Sequence, residues 1–195
     1  MRLNLLILLC LVSFSSGAQT GKLLKGQNTS VTPEELKLYT LIMDYRKEHN
    51  LPDIPLSNEL TFVAQTHCLD LVNNKPDTAS GCNAHGWSNK GFWSACCYTP
   101  DHQQATCMWN KPRELTSYTG NGYEIAFGSS SVSNFVVTAE NALQGWKTSH
   151  LHNDVILNND MWKDSKWNAI GVGIYKNFAV VWFGTEIDNS GEPLK

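Results

Sequence analysis

Apolar positions recur at helical spacing in three stretches of this chain and at strand spacing in three others. Thr32-Pro33-Glu34-Glu35 supplies an N-cap, a proline at the first helical position and a capping-box glutamate. Leu38, Leu41, Ile42 and Tyr45 then follow at the i, i+3, i+4, i+7 spacing of one helix face, which predicts a helix ending near His49-Asn50, ahead of Pro52. A second helix is predicted from about Ser57, with Leu60, Val63, Ala64, His67, Cys68 and Leu71 on one stripe. A third covers roughly Val136 to Ser149, with Ala139, Ala142, Leu143 and Trp146 at helical spacing. Gly122 to Phe127 is a short strand-like run. Ala169 to Tyr175 and Phe178 to Gly184 are rich in β-branched and aromatic residues and only Lys176-Asn177 parts them, the pattern of a β-hairpin. Helices on both sides of a few strands predict an α+β fold, a three-layer α/β/α sandwich with a C-terminal hairpin.

The start of the chain has a different pattern. Leu5 to Phe14 is an apolar run behind Arg2, and Ser16 and Ala18 are the small residues of a signal-peptidase site. The run is shorter than the ~20 residues a membrane span needs, so Met1 to Ala18 is read as a signal peptide that carries Cys10 away, and no transmembrane anchor is expected. Residues 19–31 are polar, a flexible lead-in holding the glycosylation sequon Asn28-Thr29-Ser30. Residues 32–188 are sized for one domain with a real core, followed by a tail over 189–195. The expectation is a secreted, extracellular monomer. With 18 acidic against 15 basic residues and no basic run, the chain offers no electrostatic footprint for nucleic acid.

Five cysteines remain beyond the leader. Cys82, Cys96, Cys97 and Cys107 crowd a Gly-, Asn- and Trp-rich stretch with no long apolar periodicity, which in an oxidising compartment needs staples. Two disulfides are expected among them, in a pairing that spacing does not decide. A zinc knuckle would need paired Cys-x-x-Cys units, and there are none. Cys68, on the helical stripe, is expected to be a buried free thiol. His67 shares that stripe and is expected as a buried neutral imidazole bonded to a backbone carbonyl.

Several segments resemble the CAP superfamily, the group of cysteine-rich secretory proteins, insect venom antigens and plant pathogenesis-related proteins, in its bacterial-type SCP form. Trp146, Ser149, His150, His152 and the pair Ile156-Leu157 resemble its helix-end pattern. Ile170-Gly171-Val172-Gly173 and Val181-Trp182-Phe183-Gly184 resemble its terminal hairpin, Ala64-Gln65-Thr66-His67 its second helix, and Ala84-His85-Gly86-Trp87-Ser88 the place of its first cleft histidine. The resemblance runs from Thr32 to about Asp188 and implies a surface cleft lined by two histidines and two acids, a site that in some members binds a divalent metal. By position His85 and His152 take the histidine places. The family's Gly-Glu-Asn falls on Gly122-Tyr123-Glu124, so either Tyr123 or Glu124 faces the cleft, because neighbouring strand residues point to opposite faces. Ser149 stands where the second acid belongs.

Two imidazoles with Glu124 would suit zinc or a similar ion with positions open for water, the basis of a metal-dependent hydrolase. A nucleophilic reading pairs Ser149 with His152 or His150, but no Gly-x-Ser-x-Gly elbow is present, and Ser149 reads as a helix-end residue bonding locally. His150 reads as an exposed helix-end residue. The resemblance favours a binding module for a lipid, another apolar or small ligand, or an extracellular protein partner, in a defence, toxin-like or signalling role. Seven tryptophans, among them Trp87, Trp93, Trp109, Trp162 and Trp167 in loop-like surroundings, could line such a site, although packing is expected for most.

Overall fold

The computed structural model describes residues 27–132 and 134–195; the expected signal peptide lies outside them. Helix α1 (Pro33–Glu48) begins with the capping box: the Glu35 N–H donates to Thr32 Oγ1 and the Thr32 N–H to Glu35 Oε2 at 2.8 Å. Glu35 is buried and also accepts from the Ile174 N–H and from Gln65 Nε2, so one capping residue joins three elements. Helix α2 (Asn58–Asn74) is N-capped by Ser57 and ends at Lys75 in the left-handed region. Strands β1 (Gly122–Gly128), β2 (Ala169–Tyr175) and β3 (Phe178–Gly184) form one antiparallel sheet in the order β1-β3-β2.

The sheet divides the core in two, as period-2 alternation requires. Ala179, Val181 and Phe183, with Ile125, Ile170 and Val172, pack with α1, with α5 (Ala139–Thr148) and with α6 (His150–Leu157). Phe178, Val180 and Trp182 pack on the other side with α2. Every residue of β3 is buried, as expected of a strand covered on both faces. On β2, Gly171 and Gly173 let the α2 backbone come into direct contact: a Cβ at Gly171 would overlap Leu60 and Thr61, and one at Gly173 would lie 2.6 Å from the Ala64 carbonyl carbon. The architecture is the expected α+β sandwich, and the hairpin has the expected bounds.

Two local expectations are corrected, and two features go beyond them. Residues 29–31, assigned to a flexible lead-in, are tied down: Thr29 donates to Gln65 Oε1, and the Val31 N–H bonds the Leu194 carbonyl. The third helix starts later than Val136, because Thr138 caps Asn141 and Glu34 takes the Ala139 N–H. At Ser149, in extended backbone, the chain breaks and restarts as α6. The cysteine-rich stretch contains two short helices, α3 (Ala105–Trp109) and α4 (Lys111–Leu115). That stretch is stapled by Cys82–Cys97 and Cys96–Cys107, while Cys68 is free and buried, as expected.

Candidate functional site

A cleft of about 330 Å³ opens between α3, β1, α6 and the loop that carries His85. Its walls include Met108, Trp109, Tyr123, Val155 and Trp162, and its floor holds His85 and His152. Tyr123 packs edge-on against Trp109 and Trp162, with ring centres 5.6 and 4.9 Å away. Leu151 and Met161 sit at the cleft with most of their surface in solvent.

Each side chain is fixed by its element. The Cys96–Cys107 bond anchors α3 to the loop, and the bridge between Trp87 and Cys96 (N···O 2.7 and 3.0 Å) holds the segment after His85. Helix α6 is held at its C-terminal end by Arg46, a buried guanidinium that donates to the Ile156 carbonyl and to Asn158 Oδ1, where a cation favours the helix dipole. Burial lowers Arg46 to about 10, with Asp53 opposing. His152 on α6 lies with its ring centre 6.4 Å from that of His85. Burial, and secondarily His85, bring His152 down to about 4 against a smaller opposing pull from Glu124, so its ring is neutral where an ordinary histidine titrates.

Beneath His85 lies a buried chain of three groups. Glu124 turns to the α2 face of the sheet; its Oε1 accepts from His85 Nδ1 at 2.7 Å and its Oε2 from His67 Nδ1 at 2.5 Å. His67 Nε2 donates to the Gly86 carbonyl at 2.8 Å, and the ring stacks on Trp87 with centres 4.1 Å apart. Burial alone would raise Glu124, but attraction to His67 and the bonds from both imidazoles outweigh it, leaving the carboxyl below its ordinary value. Burial alone would lower His67, but Glu124 and the Gly86 carbonyl outweigh it and leave the ring above its ordinary value. Both nitrogens of His67 meet acceptors, so the ring donates at each, as an imidazolium does.

No family model matches this sequence, and no curated protein matches it. Solved structures do match in shape. An extracellular protein containing an SCP domain, from Bacillus anthracis str. Ames, aligns with a TM-score of 0.54 at 20% identity, over 80% of this chain and 44% of its own. The fold is that of an SCP domain. An outer surface protein from Borrelia burgdorferi shares it, with a TM-score of 0.50 at 20% identity over 82% of this chain and 98% of that one. The CAP resemblance read from the motifs thus holds at the level of the fold, and this chain spans less than half of the Bacillus protein.

On this SCP fold the predicted site residues separate. His85, Tyr123, Glu124 and His152 all border the cleft, Tyr123 by its ring and Glu124 from below, its side chain fully buried. Ser149 does not line it; it sits at the α5–α6 junction with its N–H on the Trp146 carbonyl. His150 is exposed and pairs with Asp154 at 3.0 Å. The expected donors His85, His152 and Glu124 do not converge: both Glu124 oxygens are engaged, and among the described residues no three His, Cys, Asp or Glu side chains are arranged so that they could hold a metal ion. Trp87 and Trp167 pack in the core, whereas Trp109 and Trp162 line the cleft. Asn28 is exposed, as a modified asparagine would have to be. Sequence reasoning missed the tie from His67 to Glu124. The helical stripe gave its burial, but nothing local points to a partner 57 positions away.

Proposed function

We propose that this domain is an extracellular binding protein, delivered by the leader expected over Met1 to Ala18, whose cleft takes a small amphipathic ligand. The observation that carries the reading is the make-up of the cleft. Its size falls within the ~300–1,000 Å³ of small-molecule sites, and its walls are mostly apolar with a few convergent polar groups. The ligand's apolar body packs on Met108, Trp109, Tyr123, Val155 and Trp162, and its polar end meets the imidazoles of His85 and His152. No serine, threonine, cysteine or lysine lines the cleft among the described residues, so the usual acyl-transfer nucleophiles are missing and binding outranks that chemistry. The test titrates the protein with 11-(dansylamino)undecanoic acid and follows dansyl emission. Saturable binding to the wild type that Val155→Trp abolishes supports the reading; equal emission from both proteins, or none from either, rejects it.

A second reading, a divalent ion such as zinc on the cleft floor, rests on two imidazoles facing the same cleft with ring centres 6.4 Å apart. An ion ~2 Å from a nitrogen of each imidazole requires ring centres roughly 6 Å apart or less, so the pair would have to close slightly to hold it. His85 and His152 would hold it, with Glu124 orienting His85 through Nδ1 and water completing the set. When bound, the ion would polarise a carbonyl or acidify its water, the chemistry of a metal-dependent hydrolase. Two protein donors fall short of the three of catalytic zinc sites, which ranks this reading second. Metal analysis of the wild type beside His85→Ala/His152→Ala decides it: a zinc content lost in the double variant supports the ion, and equal content removes it.

A further inference from the structure

We infer that His67, a residue of α2 outside the cleft lining, is the positioning residue of the site: it locks the His85 ring through the Glu124 carboxylate on one side and the Gly86 carbonyl on the other. The inference deepens the ligand reading by naming what fixes the imidazole that a ligand's polar end meets.

The bonds close a circuit. From His67 Nδ1 the path runs to Glu124 Oε2, from Oε1 to His85 Nδ1, along the backbone to the Gly86 carbonyl, and back to His67 Nε2, over bonds of 2.5, 2.7 and 2.8 Å. His85 cannot turn in this circuit without breaking a bond beneath a buried surface, where an unsatisfied group costs most. The His67 ring cannot turn either, because it is fully buried and stacked on Trp87 at an interplanar angle of 6°. The arrangement follows from which face Glu124 occupies. One position along β1, Tyr123 points to the α1–α5–α6 side, while Glu124 is placed among α2 side chains. A carboxylate there needs partners, and among the described residues both of its ion-pair partners are imidazoles. His67 takes one oxygen, leaving the other to orient His85 with its hydrogen on Nδ1. The Nε2 of His85 is then left with no hydrogen-bond partner among the described residues, on a ring that lines the cleft.

The experiment reads the tautomer of His85 by long-range ¹H–¹⁵N correlation in ¹⁵N-labelled protein, in the wild type and in His67→Phe, which keeps a ring against Trp87 but makes neither bond. The wild type shows a single His85 form with its hydrogen on Nδ1. In His67→Phe the two tautomers mix, and affinity for the dansyl probe falls about tenfold, the effect of one mispositioned hydrogen bond. A structural role alone would leave the tautomer of the folded variant unchanged, and that result overturns the inference. If His67→Phe does not fold, His67→Leu, which likewise makes neither bond, takes its place, and a wild-type His85 carrying its hydrogen on Nε2 overturns the inference without any variant. Should the wild type bind no probe, the ligand reading falls while the tautomer still decides the role of His67.

Discussion

The hairpin, β1 and the long helices form one kind of structure, and the stretch from Ala79 to Leu115 forms another. The first is held by apolar packing on both faces of the sheet: β3 is buried throughout, and β2 rests on the backbone of α2. The second has little regular structure and is held by two disulfides, a bridge at Trp87 and buried polar ties such as Lys111 Nζ to Glu114 at 2.6 Å. The site lies where they meet, with His85 on the stapled loop and Glu124, His67 and His152 on the frame. Frame and loop therefore fail differently, and the cleft depends on both.

The largest expected effect is on the frame. Trp182 is fully buried on the central strand, so Trp182→Ala costs about 3–5 kcal/mol by cavity formation and lowers the urea midpoint of the whole domain. Next comes the staple. Replacing Cys96 and Cys107 by serine opens a loop of sequence separation 11, worth about 3 kcal/mol. Probe binding is then lost because the α3 wall is released, while hydrogen-exchange protection of β2 and β3 persists. Loss of protection in the hairpin as well would show one cooperative unit. Gly171→Ala forces β2 from α2 and costs about 1–3 kcal/mol with no direct effect on the loop.

The pH dependence of the buried chain is smaller. Glu124 is held below its ordinary 4.5, so its stabilisation is in place above 4.5 and is lost as pH falls through the lowered value. His67 is held above its ordinary 6.5, so its stabilisation is in place below 6.5 and is lost as pH rises through the raised value. The difference in Tm between the wild type and Glu124→Gln is therefore greatest between pH 4.5 and 6.5 and shrinks on both sides. A difference that is flat with pH would mean that no ion pair forms. The smallest effect is at Ser149: Ser149→Ala shifts stability by under about 0.5 kcal/mol and leaves probe binding unchanged.

The same division explains what could be read from the sequence. The hairpin bounds were legible because two runs rich in β-branched and aromatic residues stand two residues apart, and α1 and α2 because Thr32 and Ser57 are strong caps. Helices α3, α4 and α6 were not. At five to eight residues they are too short to overcome helix nucleation alone, and they exist because a disulfide, Lys111 and Arg46 hold them. Of the cleft histidines, His85 and His152 were legible through the resemblance, whereas His102, which also lines the cleft, was not. The direction of Glu124 was not, because one step of strand register reverses a side chain and only its partners decide the face.

The central claim is a cleft whose apolar walls and imidazole floor hold one amphipathic guest, and chemical-shift mapping with undecanoic acid tests it most directly. The account predicts that the indole signals of Trp109 and Trp162 and the ring signals of His85 and His152 move together and saturate at one equivalent, while the buried Trp182 indole stays in place. Shifts confined to other parts of the surface, or none at saturating acid, would contradict it.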